Sequence, residues 1–216
     1  MSKRKQEVAR LFSVTLGDEV IQIASDYMNS PEMIDTKEDG SSECDIEQFY
    51  INTSLMEKPD LLSKVLLQYQ PESCIIFANT QSEIDSLEQY LRKKSYPMKK
   101  LHGGLQQKER LRVMEQFKRK QYRYLLASDV AARGIDIAQV AMVIDYDMAK
   151  GPANYTHRIG RTDRNGAKGT AISFVLDEIT DRATFVEILN KKGTIVLREL
   201  PKKTIKGRNR KVNRAK

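Results

Sequence analysis

The sequence predicts an α/β fold, a parallel sheet with helices on both faces, preceded by a short N-terminal segment and followed by a basic tail. Five short apolar runs recur at 73–78, 98–102, 122–127, 140–145 and 170–175. Helical stripes lie between most of them: Ile84, Leu87 and Leu91, then Leu111, Met114 and Phe117, with Phe185, Ile188 and Leu189 after the last run. Strands alternating with amphipathic helices every roughly 20–30 residues imply parallel pairing, because each crossover needs a helix to return the chain.

The elements divide the chain into four stretches. Residues 1–34 contain one helical stripe from Gly17 to Tyr27, with Val20, Ile23, Ala24 and Tyr27 apolar, ended by Asn29-Ser30-Pro31. Residues 35–47 are acidic and polar, carry Gly40-Ser41-Ser42, and read as a linker. The alternating pattern fills 48–200, and 201–216 is a basic tail. No internal repeat is visible.

Charge is distributed unevenly. The net charge is +8, yet 202–216 alone holds eight Lys or Arg and no acid; removing those eight from the 37 basic residues leaves 29 against 29 acidic ones. The excess therefore sits entirely in the tail, which is the footprint of contact with phosphate or of a merely solvated terminus. Cys44 and Cys74 form no spacing pattern, and Cys74 falls inside an apolar run as a small buried side chain. Two unpatterned thiols suggest a reducing compartment. No apolar stretch approaches the roughly 20 residues of a membrane span and no signal-type region opens the chain, so the expectation is a cytoplasmic protein without a membrane partner.

Ligands of open α/β sheets bind outside the carboxyl ends of the strands. Strand 74–77 is followed by Ala78-Asn79-Thr80. Strand 98–101 is followed by His102-Gly103-Gly104 and a helix opening with Gln107 and Arg110. Strand 124–127 is followed by Ser128 through Asp136, and strand 141–145 leads through Pro152 to His157 and Arg164. Hydroxyls, amides and guanidiniums are thus expected on one edge, a composition suited to phosphates and sugars. A helix from Ala153 onward would put His157, Arg161 and Arg164 at i, i+4 and i+7. Two guanidinium forks beside a histidine can hold charge on a transferring phosphoryl group. A surface helix whose arginines pair with acids such as Asp163 is the milder reading, and spacing leaves it open.

The residues themselves resemble a known family. Phe77-Ala78-Asn79-Thr80 resembles helicase motif IV, and Gln107-Lys108-Glu109-Arg110 the QxxR motif. The stretch Ser128-Asp129-Val130-Ala131-Ala132-Arg133-Gly134-Ile135-Asp136 is similar to motif V, and His157-Arg158-Ile159-Gly160-Arg161-Thr162-Asp163-Arg164 to motif VI. In order and spacing, over roughly 46–190, the chain resembles the C-terminal RecA-like domain of DEAD-box RNA helicases. The resemblance implies a RecA-like fold and ATP-dependent RNA unwinding by two such domains. Arg161 and Arg164 would then be catalytic and ATP-binding, with Arg164 as the arginine finger. Gly134 and Asp136 would contact ATP, Asp136 near the ribose. Thr80, Gly103, Gln107, Arg110 and Ser128 would hold the RNA backbone without reading its sequence. Arg133 and His157 would couple the domains. Ser128 as a turn residue, Asp136 as a cap and His102 as packing are the milder alternatives, and for His102 the milder one is kept.

Residues 11–16, Leu-Phe-Ser-Val-Thr-Leu, resemble the end of domain 1 around motif III, where the family's usual Ser-Ala-Thr is altered at Val14. The phosphate-cradling G-x-x-x-x-G-K-[ST] loop and the Asp-Glu-Ala-Asp sequence are both missing. ATP with Mg²⁺ is therefore expected to be held mainly by a separate N-terminal RecA-like domain, no metal ligand is expected here, and the chain alone is expected to be inactive. Asp163 stands where the family has Gly; pairing with Arg164, it would weaken the potential for phosphate and impair catalysis. Asp145 replaces a usual Asn, and Met148-Ala149 a usual Leu-Pro. The intact motif order favours half of an RNA helicase; Val14, Asp163 and the missing loop favour an ATP-independent RNA-binding module or remnant. A DNA helicase half fits the wording of motifs V and VI less well.

Overall fold

The computed structural model describes residues 18–30, 32, 46–132, 139–162, 169–190, 197–200 and 205. The chain divides into two units, Met1–Ser42 and Glu43–Lys216. Within the first, helix α1 spans Asp18–Tyr27. Among the described residues no helix is long and apolar enough to cross a membrane.

The second unit runs β1 (Ile46–Thr53), α2 (Lys58–Tyr69), β2 (Cys74–Phe77), α3 (Gln81–Lys93), β3 (Met98–Leu101), α4 (Gln107–Lys118) and β4 (Tyr124–Ala127). It continues with α5 (Asp129–Ala132), β5 (Met142–Asp145), α6 (Pro152–Ile159), β6 (Gly169–Leu176), α7 (Ile179–Asn190) and β7 (Leu197–Glu199). The seven strands form one sheet in the order β3-β4-β2-β5-β6-β1-β7, every pair parallel.

Alternation along the strands sorts side chains to the two faces. Cys74, Ile76, Tyr124, Leu126, Met142, Ile144, Ile172 and Phe174 pack under α2 and α3. Ile75, Phe77, Leu125, Ala127 and Val143 pack under α4 and α5, while Ala171 and Val175 meet Tyr155 and Ile159 of α6 and Ile188 of α7. The expected sheet with helices on both faces is therefore present. Burial pushes the Cys74 thiol well above the ordinary cysteine range, as suits a packing residue.

Sequence periodicity passed over β1, α2 and β7. β1 opens at Ile46, inside the stretch read as a linker, because Glu47, Gln48 and Asn52 interrupt any apolar run; Gln48 is nonetheless buried beside Tyr155, whose hydroxyl donates to Gln48 Oε1 at 3.0 Å. Ile205, in the stretch read as tail, is buried in the α2–α3 core. Leu111 and Leu189, expected on buried stripes, are 51% and 41% exposed, and Val113 takes the inward place on α4.

Candidate nucleic-acid interface

Sheet register lines up four carboxyl ends. Leu101 of β3 pairs with Ala127 of β4, Ala127 with Phe77 of β2, and Phe77 with Asp145 of β5. The residues next in sequence share one rim, and the expected RNA-binding set gathers along it. Thr80 is exposed and extended at the head of α3, where its Oγ1 accepts the Glu83 N–H at 3.1 Å. It is a helix cap whose hydroxyl still carries a proton to donate. Ser128 is nearly buried, with its N–H on the Leu101 carbonyl at 3.1 Å, so β3 fixes it. Gly103 and Gln107 are exposed. Arg110 donates from Nη2 to the Ala131 carbonyl at 3.0 Å and from Nη1 to Gln107 Oε1 at 3.3 Å, which ties α4 to the end of α5.

Beneath the rim lies a side chain that sequence reasoning gave no role. Arg158 is 2% exposed. Its Nε and Nη2 donate to the two carboxylate oxygens of Asp129 at 2.7 and 2.9 Å. Nη1 donates to Asp145 Oδ1 at 2.8 Å and to the Asp147 carbonyl at 2.7 Å, and Nη2 also donates to Asn79 Oδ1 at 2.9 Å. Those five bonds use all five guanidinium donors. The plane also lies over Phe77, 5.0 Å from the ring centroid. Asn79 is held further by its Nδ2 on the Met148 carbonyl and its N–H on Asp147 Oδ2, while the buried Lys58 meets Asp147 Oδ1 at 2.5 Å. One signal could have found this arginine: Asp145 closes β5 while Asp129 and Asp147 follow strand ends, and a carboxylate as buried as Asp145 needs a cation.

Protonation follows the same geometry. Burial raises the Asp145 carboxyl above the ordinary aspartate range, against the pull of the Arg158 guanidinium. Arg158 is held charged above its already high value by Asp145 and Asp129, which outweigh its burial. Both directions are consistent, because Asp129 takes two of the five donors and leaves Asp145 with one.

Two expectations about the arginines are corrected. α6 ends at Ile159, with Gly160 closing it through an N–H on the Thr156 carbonyl, so Arg161 lies past the helix and does not share a helical face with His157. Nor does Arg161 join the rim in its backbone. Its carbonyl accepts the Val140 N–H at 2.9 Å and Thr162 Oγ1 donates to the Val140 carbonyl at 2.8 Å, both just before β5. α6 starts past the carboxyl end of β5 and returns to its amino end, so it carries Arg161 to the end opposite Thr80 and Ser128. His157 is exposed and Arg161 half-buried. Arg133, Gly134, Asp136, Asp163, Arg164 and Val14 lie outside the described residues.

Comparison with known proteins decides what this geometry belongs to. The helicase conserved C-terminal domain matches residues 57–166, just over half of the chain. ATP-dependent RNA helicase DbpA of Bacillus subtilis is 44% identical over 170 residues, which is 79% of this chain and 36% of that protein. The chain is a DEAD-box helicase C-terminal domain. Another DEAD-box relative, the ATP-dependent RNA helicase CshA of Listeria monocytogenes, is 40% identical over 182 residues, 84% of this chain and 35% of CshA. The chain thus spans about a third of the length of the curated relatives it matches. Among solved structures, the C-terminal domain of the DEAD-box protein Dbp5 superposes with a TM-score of 0.69 at 34% identity, covering 76% of this chain and 93% of that one. S. cerevisiae Dbp5 bound to RNA and ADP BeF3 gives 0.77 at 34% identity, covering 88% and 50%. The sheet is therefore the RecA-like fold of this DEAD-box domain.

Proposed function

We propose that the chain is the C-terminal half of an ATP-dependent RNA helicase, active only with an N-terminal RecA-like domain. Thr80, Gly103, Gln107, Arg110 and Ser128 take the sugar-phosphate backbone of RNA without reading bases. Arg161 and Arg164 meet the nucleotide phosphates, Arg164 as arginine finger, with Gly134 and Asp136 on the same nucleotide and Arg133 and His157 at the domain contact. The carrying observation is the position of Arg158. It holds Asn79, the neighbour of Thr80, and Asp129, the neighbour of Ser128, and stands three residues before Arg161. One buried guanidinium thus links the hydroxyl rim to the turn at the far end of β5. That separation suits a domain with RNA at one end and a nucleotide at the other.

Among the described residues, no group of three His, Cys, Asp or Glu side chains stands together to bind Mg²⁺. Asp129, Asp145 and Asp147 are already committed to Arg158, Lys58 and Asn79. We assign ATP and its ion mainly to the N-terminal domain, with guanidinium charge as this chain's share. The test is ATP hydrolysis and strand separation by the chain alone and after mixing with a separate N-terminal RecA-like domain. RNA-stimulated hydrolysis should arise only on mixing; hydrolysis by the isolated chain, or none in the mixture, counts against the proposal. A second reading, an ATP-independent RNA-binding module, draws on the eight basic residues of 202–216 and on Asp163. Salt-sensitive RNA binding with no gain on mixing would favour it.

A further inference from the structure

We infer that His102 is a positioning residue for the Gly103–Gly104 turn, shaping it for the RNA backbone; the inference rests on the RNA reading of the rim. His102 follows β3 and is 4% exposed, so it is not itself a nucleic-acid ligand. Its Nδ1 accepts the Gly104 N–H at 3.2 Å, and its carbonyl accepts the Leu105 N–H at 3.1 Å. With Nδ1 accepting, the imidazole proton lies on Nε2. Nε2 is buried and finds no hydrogen-bond partner among the described residues, so the ring's one polar anchor there is Gly104.

The turn is packed from a second side. A Cβ on Gly104 would stand 2.9 Å from Gln81 Oε1 and 3.1 Å from His102 Nδ1. The bare Cα of Gly104 therefore lies between the imidazole and the first side chain of α3, the residue directly after Thr80. A Cβ on Gly103 would meet only Val130 Cγ1, at 3.9 Å, and Gly103 is exposed. Leu105, half-buried against the α4–α5 core, closes the loop into the helix that carries Gln107 and Arg110. Three rim contributors, Thr80, Gly103 and Arg110, are thus joined through the loop that one histidine acceptor braces.

The 216-residue chain can be tested with a fluorescein-labelled oligouridylate by anisotropy and with Gly104 amide exchange by NMR. His102→Leu keeps the bulk and loses the acceptor; His102→Asn keeps an acceptor near the place of Nδ1. His102→Leu should weaken RNA binding roughly five- to tenfold, the worth of one hydrogen bond, and speed Gly104 exchange. His102→Asn should restore both to within about twofold of the parent. Unchanged affinity in His102→Leu, or His102→Asn no better than His102→Leu, overturns the inference. Should circular dichroism show His102→Leu unfolded, His102→Gln, whose amide sits one methylene farther out, takes its place with the same expectation. If the parent chain binds no RNA, the RNA reading fails, and the exchange rates of Gly104 alone decide whether His102 positions the turn.

Discussion

Arg158 has every donor used inside the protein and is 2% exposed, so its replacement acts on packing and charge before it acts on any ligand. Arg158→Lys keeps the charge but loses the planar fork, leaving acceptors among Asp129, Asp145 and Asn79 unmet. A loss of about 3–5 kcal/mol in urea unfolding is expected, as for a broken buried ion pair; a change under about 1 kcal/mol would refute the bracing role. Asp145→Asn should behave oppositely. The folded protein holds the Asp145 proton more tightly than the unfolded chain, so stability falls as pH rises from the ordinary aspartate value of 3.8 through the raised one. Asn carries no such penalty and still accepts from Nη1. The variant should match or exceed the parent's melting temperature at about pH 7, with the gap closing as the pH falls towards the ordinary aspartate range. A variant several degrees less stable at neutral pH would contradict this.

At the scale of elements, strands and helices are legible where apolar runs are continuous and obscure where polar residues are needed inside. β2 and β4, each buried at all four positions, stand out at once; β1, with Gln48 inward, does not. The end of α6 is hidden because the His157, Arg161 and Arg164 spacing reads as helical, whereas Gly160 and the Thr162–Val140 bond turn the chain out of the helix. Thr80 shows how one residue serves both an element and a site. As the cap of α3 its replacement by Ala should cost about 1 kcal/mol of stability, and Ser should retain the cap. If the same hydroxyl also donates to RNA, Thr80→Ala loses affinity beyond that of Thr80→Ser in anisotropy titrations. Equal affinities would reduce Thr80 to its capping role.

For the whole molecule, charge is split between a formally neutral body and the strongly basic 202–216. On the proposed RNA reading, a rim built of hydroxyls, glycine and one half-buried arginine brings little charge, and the long-range attraction would fall to the tail. Deleting 206–216, which spares the buried Ile205, should flatten the dependence of log K on log salt by roughly 0.7 for each phosphate the tail neutralises. A titration series with unaltered slope would show that the tail stays clear of the nucleic acid.

Composition, run spacing and motif order by themselves determined the parallel sheet, the place of the charge excess and the residues after each strand, because these are properties of short stretches. What only tertiary structure decided is which of those residues meet. Asn79, Asp129, Asp145 and Asp147 come from the ends of three strands, β2, β4 and β5, and find one another through Arg158, to which motif spacing gave no role. The same folding carried Arg161 to the opposite end of β5, since a helix returning along a sheet reverses the order in which its residues reach the rim.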